Sequence, residues 1–371
     1  MKIIADKDIP FLQGVAEHFG EVEYIAGIDF SNARIQDAEV LITRTVARMD
    51  EAMLKGTNVK LICSATAGFD HIDTAYCDAN DIAWRNAPGC NSSSVEQYIT
   101  SSLLILSARH KFDLKGKTIG VVGVGHVGKK VAAACEVLGM NVLLNDPPRR
   151  RQEPDNESLV LIDEIKEKSD FITYHTPLTK EGIDETYHMV DERFLSSLGK
   201  KPFIINAARG GIVDTQAMKL AIKTKKVAGV VVDCWESEPY IDLEYMEMAD
   251  IATPHIAGYS ADGKANATRM ALTALADFYG LDKEPIKAVT PPLPPKKMID
   301  LDSFSSNNRV FEAILETYNP MTDHERLVGS PDSFRQLRNN YPLRREYPAY
   351  IVVNADENER RILNKLDFKL G

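Results

Sequence analysis

The chain has 371 residues, of which 44% are hydrophobic and 26% are charged, and its formal net charge at pH 7 is −10. This length accommodates two or three domains, each with its own hydrophobic core. The negative charge argues against nucleic acid or an anionic membrane surface as a partner, and the sequence contains no apolar run long enough to cross a bilayer.

The first 90 residues alternate short apolar runs with polar segments. The runs KIIA, VEYIA, EVLIT, KLICSA and IAWRN predict strands, and the segments between them, such as residues 10–19, predict helices. Strands that alternate with helices predict a parallel sheet. Residues 92–112 follow, with apolar positions at steps of three and four and with serines at the start that can cap a helix. We expect one long helix there.

The stretch 117–146, KTIGVVGVGHVGKKVAAACEVLGMNVLLND, predicts a dinucleotide-binding strand–helix–strand unit. Gly123 allows the tight turn after the strand, Gly125 lets the backbone approach a pyrophosphate, and Gly128 lets the helix pack on the strand. The helix start then offers unpaired N–H groups to the phosphates. Asp146 ends the second strand, where a carboxylate accepts hydrogen bonds from the ribose.

The choice between NAD and NADP depends on the residues around Asp146. Its charge would repel a ribose 2′-phosphate, so the sequence favours NAD. The basic run 149–151 directly after it is either a solvated surface turn, which we favour, or a feature that accepts NADP.

Cysteine and histidine spacing predicts reduced thiols and no metal site. The five cysteines are scattered without a CxxC pair, which is typical of a cytoplasmic protein. The eight histidines form neither an HxxxH nor an HExxH pattern.

From residue 118 to about 254 the runs TIGVV, NVLLN, DFITY, PFIIN, VAGVVVD and DIAT predict the six strands of a complete dinucleotide-binding sheet. A helical stretch at 260–281 leads back to the first domain. The cleft between the two domains is then the expected reaction site. We therefore predict an α/β fold with two Rossmann-like or flavodoxin-like parallel-sheet domains. The predicted boundaries are 1–91 plus 257–285 for the substrate-binding domain and 92–256 for the NAD-binding domain.

The segment PPLPPKK at 291–297 marks a further boundary. Residues 286–371 predict a small α+β domain with two helices, one strand (AYIVVN) and a closing helix. Because so small a unit buries little core alone, we expect it to dock against another subunit, with a disordered tail as the alternative.

Three predicted strands after the glycine loop end in polar side chains, which in such sheets face the ligand crevice. Arg209 has the planar fork that clamps a carboxylate. Histidine is the residue type suited to a general base near neutral pH, which makes His255 the candidate, and Glu238 could orient it. Together they fit the oxidation of a 2-hydroxy acid. Singly, each has a structural alternative: a histidine beside a turn, a neutralised helix end, or a cap.

Five motifs resemble those of the D-isomer-specific 2-hydroxyacid dehydrogenase family over nearly all of residues 1–285: GVGHVG, YHTPLT, NAARGGIVD, VDCWESEP and TPHIAG. The resemblance implies an NAD-dependent two-domain enzyme with Arg209, Glu238 and His255 as its catalytic set. With the glycine loop, the expected cofactor contacts are Gly123, Gly125, His126, Val127, Gly128, Asp146, Thr176, Ala207, Ala208, Arg209, Asp233 and Gly258.

Four more segments are similar to a branch of that family with an added carboxy-terminal dimerisation domain: ATAGFDHID, GCNSSSVEQY, DPPR and LRNNYPLRREY. This similarity implies a homodimer that oxidises a small phosphorylated hydroxy acid, with Thr45, Thr66 and Tyr259 in contact with the substrate. Arg44 follows a predicted strand and is a candidate for the phosphate. Arg344 and Arg345 are candidates for a contribution from a neighbouring subunit.

Two alternatives stay open at this point. One is a relative that oxidises 3-phosphoglycerate, whose regulatory tail would show a ferredoxin-like strand pattern that the sequence after residue 295 lacks. The other is a non-catalytic NAD-responsive protein of the corepressor type, because a fold alone does not establish a function.

Overall fold

A computed structural model describes residues 1–306 and 308–371. The strands are β1 (Lys2–Asp6), β2 (Glu21–Ile25), β3 (Val40–Thr43), β4 (Leu61–Ser64), β5 (Ala83–Arg85), β6 (Thr118–Val122), β7 (Asn141–Asn145), β8 (Phe171–Tyr174), β9 (Phe203–Asn206), β10 (Gly229–Val232), β11 (Ile251–Ala252), β12 (Met298–Asp300), β13 (Ile351–Val353) and β14 (Lys369–Leu370). The helices are α1 (Glu51–Leu54), α2 (Thr74–Ala79), α3 (Ser92–His110), α4 (His126–Val137), α5 (Pro147–Gln152), α6 (Ile162–Lys168), α7 (Glu192–Ser196), α8 (Thr215–Lys223), α9 (Leu243–Met248), α10 (Ala261–Tyr279), α11 (Arg309–Thr317), α12 (Pro320–Gly329), α13 (Phe334–Asn339) and α14 (Glu357–Lys365).

The chain forms two compact units. Unit 1 comprises Met1–Asn91 and Ser260–Leu293, and unit 2 comprises Ser92–Tyr259 and Pro294–Gly371. The return to unit 1 therefore comes at residue 260 rather than at the predicted 257. The sequence assigned residues 286–371 to a third domain, whereas residues 286–293 belong to unit 1 and residues 294–371, here called the carboxy-terminal segment, belong to unit 2.

The sheet of unit 1 has five parallel strands in the order β2-β1-β3-β4-β5. This is the flavodoxin-like order, which reverses between β1 and β3 and opens a crevice at the carboxyl ends of those strands. Both faces of the sheet are buried. Ile3 and Ala5 lie in one hydrophobic cluster with Leu272 of α10, while Ile4 between them lies in another. Burial on both faces explains the uninterrupted apolar runs.

The helix predicted for residues 10–19 is wrong. That segment consists of turns with one short 3₁₀ helix, Ala16–His18. Phe11 and Gly14 both adopt positive φ values, 62° and 87°, which an α-helix does not allow. The apolar side chains that gave the helical pattern, Leu12 and Val15, are nevertheless buried against the sheet.

The sheet of unit 2 contains all six predicted strands, in the parallel order β11-β10-β9-β8-β6-β7. A single bridge from Leu144 to Leu159 adds the remnant of a further strand beyond β7. With this remnant the order is that of a Rossmann sheet, which reverses between β6 and β8. The predicted α/β class with two parallel sheets is confirmed.

The carboxy-terminal segment contains three strands rather than the predicted one. β12, β13 and β14 form a parallel sheet, and α11, α12 and α13 precede β13. The outer strands have only three and two residues, too few for an alternating pattern to be recognised in the sequence.

This segment belongs to unit 2 because it completes both of that unit's cores. Tyr318 and Val352 share one hydrophobic cluster with Tyr98 of α3. On the other side of the sheet, Phe334 joins the cluster that contains Ile204 of β9. Helix α3, covered from several sides, is buried along most of its length.

All five cysteines are buried and carry free thiols. Among the helices of residues 1–306 and 308–371, none combines the length and the apolar character that a membrane crossing requires.

Candidate active site

The glycine loop joins β6 to α4 at the point where the sheet order reverses. Gly123 has φ of +91°, and a Cβ there would lie 2.8 Å from the backbone of His175. A Cβ at Gly128 would lie 2.0 Å from the carbonyl oxygen of Gly123, so helix and strand are in close contact. A Cβ at Gly125 would meet no atom within 4 Å. The loop is thus tight against the protein at Gly123 and Gly128 and open at Gly125, where a pyrophosphate must approach.

Asp146 follows β7 and caps α5 through the Arg149 backbone N–H, which donates to Oδ1 at 3.1 Å. Its Oδ2 accepts from the Val124 N–H of the glycine loop at 2.9 Å. The acid is therefore held beside the loop, as a ribose partner requires. Two arginines of the basic run after it are bound to acidic side chains, Arg149 to Glu153 at 2.8 Å and Arg151 to Asp184.

Thr176 lies just beyond β8, on the other side of the reversal point. Its Oγ1 is buried and has no hydrogen-bond partner among the residues that the structure describes. A buried hydroxyl without a partner is costly unless a ligand satisfies it. The accessible backbone at Gly125, the carboxylate of Asp146 and this hydroxyl are therefore suited to contact a dinucleotide that lies across the strand ends.

Arg209 follows β9, and the side chain of Asn206 shapes its turn. Asn206 Nδ2 donates to the Arg209 carbonyl at 2.9 Å, and Asn206 Oδ1 accepts from the Ala208 N–H at 3.2 Å. Gly210 is packed so tightly that a Cβ would lie 1.9 Å from the Trp235 carbonyl oxygen. The turn after β9 is therefore fixed against the turn after β10. The predicted contacts Ala207 and Ala208 lie in this same turn.

Glu238 and His255 form the pair that the sequence predicted. Glu238 Oε2 lies 2.7 Å from His255 Nδ1, and Oε1 accepts from the Trp235 N–H at 2.8 Å. Burial works to raise the pKa of Glu238, but the hydrogen bond with His255 and its charge outweigh burial and lower that pKa. Because an ionised carboxylate only accepts, Nδ1 must carry the hydrogen. The Nε2 atom is then the ring nitrogen that can take a proton from a ligand.

Asp233, at the end of β10, is buried and only 1% exposed. Its Oδ1 accepts from Thr253 Oγ1 and from the Ile256 N–H, each at 2.7 Å, and its Oδ2 accepts from the Ala257 N–H at 2.9 Å. Burial raises its pKa, although His255 and these hydrogen bonds act in the opposite direction. Asp233 thus anchors the segment that carries His255 to the sheet. The predicted cofactor contact Gly258 follows directly in the same turn.

His255 itself has φ of +57°, in the left-handed region that non-glycine residues rarely adopt. Such a conformation costs on the order of 1–3 kcal/mol and persists only where neighbouring contacts impose it. Local sequence gave no signal for this geometry.

Cys234 is a neighbour of the pair that the sequence did not select. Ligand atoms of Cys234, Glu238 and His255 all lie within 4.8 Å of one another. Burial and the charge of Asp233 raise the pKa of the Cys234 thiol well above its usual value. A protonated thiol is a poor metal ligand, so this arrangement gives no support to a metal centre.

In unit 1, the predicted substrate residues lie in the turns after β3 and β4. Arg44 donates from Nε to Asp6 Oδ2 at 2.8 Å and from Nη2 to Asp8 Oδ2 at 3.0 Å, so two carboxylates already balance its charge. Thr45 beside it is exposed. Thr66 Oγ1 is hydrogen-bonded to Ser64 Oγ at 2.7 Å and to the Gly68 carbonyl at 2.9 Å.

The carboxy-terminal segment brings residues to the site that sequence patterns did not place there. The Tyr259 ring packs edge-on against Tyr341, with 6.1 Å between centroids. The Arg338 guanidinium lies 5.8 Å from the centroid of the Tyr259 ring, and its charge acts on Glu238. These contacts join positions some 80 residues apart in the chain, which no spacing rule predicts.

Comparison with known proteins agrees with this geometry. Residues 94–257 match the family described as D-isomer specific 2-hydroxyacid dehydrogenase, NAD binding domain, and residues 292–367 match a domain of unknown function (DUF3410). A Porphyromonas gingivalis protein named erythronate-4-phosphate dehydrogenase is 44% identical over 369 residues, covering 99% of this chain and 100% of its own. The chain belongs to the D-isomer-specific 2-hydroxyacid dehydrogenase family.

Two further similarities place it within that family. A Bacteroides fragilis protein, also named erythronate-4-phosphate dehydrogenase, is 47% identical over 354 residues, covering 95% of this chain and 99% of its own. The crystal structure of NAD+-bound 3-phosphoglycerate dehydrogenase from Entamoeba histolytica gives a TM-score of 0.63 at 28% identity, covering 76% of this chain and 95% of its own. The chain is an NAD-dependent dehydrogenase that acts on a CH–OH group.

We expect Gly125→Ala to weaken cofactor binding without loss of stability, and Gly128→Ala to lower stability. A Cβ at position 125 meets no protein atom, so Tm should hold while the Kd for NAD rises. A Cβ at position 128 would clash with the Gly123 carbonyl, so Tm should fall. Thermal unfolding and NAD titration of both variants measure this contrast. Equal Tm losses would contradict the assignment of Gly125 to ligand approach.

For Glu238→Gln we expect the pH profile of substrate oxidation to move to lower pH. The pKa of Glu238 is lowered by its hydrogen bond with His255, 2.7 Å away, and by the charge of that ring, so the ionised carboxylate and the protonated imidazole stabilise each other and the Gln variant loses this coupling. The rate should also fall, because a neutral amide stabilises the developing positive charge less. The measurement is kcat/KM against pH, with Glu244→Gln on the surface as the control. An unmoved profile would mean that the two side chains are not coupled.

Proposed function

We propose that this chain oxidises 4-phospho-D-erythronate to 2-oxo-3-hydroxy-4-phosphobutanoate with NAD, as a step in vitamin B6 biosynthesis. The observation that carries the proposal is the Glu238–His255 pair, 2.7 Å apart, at strand ends of the nucleotide-binding sheet. The substrate of the proposed reaction is taken from the relatives named erythronate-4-phosphate dehydrogenase, because they match essentially the whole chain, including the carboxy-terminal segment.

The proposed roles of the residues follow from their chemistry. Arg209 binds the substrate carboxylate, for which a guanidinium provides two parallel donors. Nε2 of His255 takes the proton of the 2-hydroxyl group, and Glu238 stabilises the imidazolium that forms. NAD, when bound, accepts the hydride from carbon 2. In the reverse direction the imidazolium returns its proton to the carbonyl oxygen.

Recognition of the substrate's far end is proposed for unit 1, where Thr45 and Thr66 are candidates for contact, together with Tyr259 of unit 2. Arg44 remains a candidate for the phosphate, although its guanidinium already donates three hydrogen bonds to the carboxylates of Asp6 and Asp8. A phosphate on Arg44 would have to compete with those carboxylates, which favours the threonine hydroxyls as the first partners to test.

Oxidation of 3-phosphoglycerate is the second candidate, supported by the structural similarity to an enzyme of that name. The lower identity, 28% against 44% and 47%, and coverage of 76% of the chain favour the first candidate. We place the reaction in the cytoplasm, which five buried reduced cysteines support.

The deciding experiment measures NADH formation with 4-phospho-D-erythronate and with 3-phospho-D-glycerate in parallel. We expect a higher kcat/KM for the erythronate. The variant His255→Asn should lose about 10²–10⁴-fold in kcat, while the exposed control His18→Asn keeps it. Preference for the glycerate would favour the second candidate. Turnover of neither acid, despite tight NAD binding, would favour a non-catalytic NAD-responsive protein.

We also propose that the chain is a homodimer whose contact is made by residues 294–371. Met298 and Val328 are apolar and 58% and 41% exposed on this segment, so substitutions at these positions test whether a partner covers it. Light scattering on a sizing column should give about twice the chain mass of 41.3 kDa. The variants Met298→Glu and Val328→Glu should lower that mass, with Leu220→Glu outside the segment as the control. A monomeric wild-type chain would contradict this proposal.

A further inference from the structure

Arg344 of the carboxy-terminal segment is a buried guanidinium that contacts the active-site loop. Its Nη1 donates to the Ile256 carbonyl at 3.2 Å, and its Nη2 donates to the Ala257 carbonyl at 2.6 Å. These two residues directly follow His255. The same side chain also donates to the Ser94 carbonyl at 3.1 Å and to Gln97 Oε1 at 3.0 Å, both on α3.

The charge of Arg344 is balanced indirectly. The Tyr318 ring stacks on the guanidinium at 4.0 Å, and Tyr341 Oη accepts from Nη1 at 3.0 Å. Both tyrosine hydroxyls donate to Asp323 Oδ2, at 3.0 and 2.9 Å, so the counter-charge lies one hydroxyl group away. Burying a charge is expensive even when it is paired. An apolar side chain would fill the same space without the cost of burying a charge. The presence of an arginine must therefore be explained by the hydrogen bonds that it donates.

The loop that follows His255 provides this explanation, because Arg344 donates to two of its carbonyl groups. The Ile256 and Ala257 N–H groups are bound by the Asp233 carboxylate, and their carbonyls are bound by Arg344. Two successive residues thereby have their N–H groups bound by an anion and their carbonyl groups bound by a cation. This clamp directly follows His255, whose φ of +57° needs an external constraint.

We propose that Arg344 is a positioning residue for the oxidation: through the two carbonyls it keeps His255 in its left-handed conformation, with the imidazole against Glu238. This inference rests on the proposed role of His255. It gives the carboxy-terminal segment, whose matching family has no known function, a part in the reaction within its own subunit. Arg344 acts through backbone atoms and does not touch the reacting groups.

A purely structural role is the competing explanation, because Arg344 also joins the segment to α3. The two roles differ in what they predict for the loop. If Arg344 only fastens the segment, its removal should lower Tm without a specific effect on the His255 loop. If Arg344 positions the loop, the amides of Ile256 and Ala257 should become exposed to solvent, and kcat should fall before the fold is lost.

The test compares Arg344→Met, which keeps the stem and removes the donors, with Arg309→Met. Arg309 is an arginine of the same segment whose side chain donates to that segment's own Glu359 and Asp302. For Arg344→Met we expect kcat to fall about 10²-fold, the cost of a small misplacement of a catalytic group. Binding of ADP-ribose, which lacks the nicotinamide, should stay unchanged. Arg309→Met should lose stability while keeping kcat.

Hydrogen–deuterium exchange over residues 253–259 provides a readout that needs no turnover. Exchange should accelerate in Arg344→Met and stay at the wild-type rate in Arg309→Met. If Arg344→Met does not fold, Arg344→Lys decides, because a single ammonium cannot hold both carbonyls with a fork; a smaller loss of kcat and faster exchange are then expected. Wild-type kcat or wild-type exchange in a folded Arg344 variant would overturn the proposal. Inactivity of the wild-type chain on the phosphorylated acid would refute the proposed function alone, since exchange still measures the clamp.

Discussion

The buried carboxylate of Asp233 is the interaction on which the site depends. It directly follows β10 and binds the hydroxyl of Thr253 together with two successive backbone N–H groups, at 2.7 to 2.9 Å. Without an acceptor, those amides would be buried and unsatisfied, at about 1–3 kcal/mol each. The carboxylate therefore fixes the path of the segment that carries His255. Tyr98 extends this network, because its hydroxyl lies 2.7 Å from Thr253 Oγ1.

The carboxy-terminal segment is integrated into the nucleotide-binding unit rather than attached to its surface. Tyr318 packs against Tyr98 of α3, Arg344 donates to Gln97 and to the Ser94 carbonyl of that helix, and Ser94 Oγ donates to Glu346 at 2.8 Å. Because we propose that Arg344 of this segment positions the loop that carries His255, the geometry of the site depends on the segment. The proposed dimer contact and the proposed positioning of the loop would then be two functions of the same stretch of chain.

The sequence predicted the parts of the fold whose signals are local. Apolar runs of four or five residues identified the strands of both sheets, because strands buried on both faces leave no polar positions. The glycine loop was predictable because each glycine has its own steric reason at fixed spacing. Local signals failed where conformation depended on distant packing. Residues 10–19 have helical periodicity, yet Phe11 and Gly14 take positive φ, and β14 has only two residues.

For the site, the residue types and their order along the chain were determined by the sequence alone: a guanidinium, a carboxylate and an imidazole, each after a strand of a nucleotide-binding sheet. Tertiary structure decided which atoms meet. It placed Glu238 on Nδ1 of His255 and brought Arg344 to Ala257, 87 residues away. Periodicity and turn chemistry act over a few neighbouring residues, whereas a hydrogen bond between distant segments exists only once the core has brought them together.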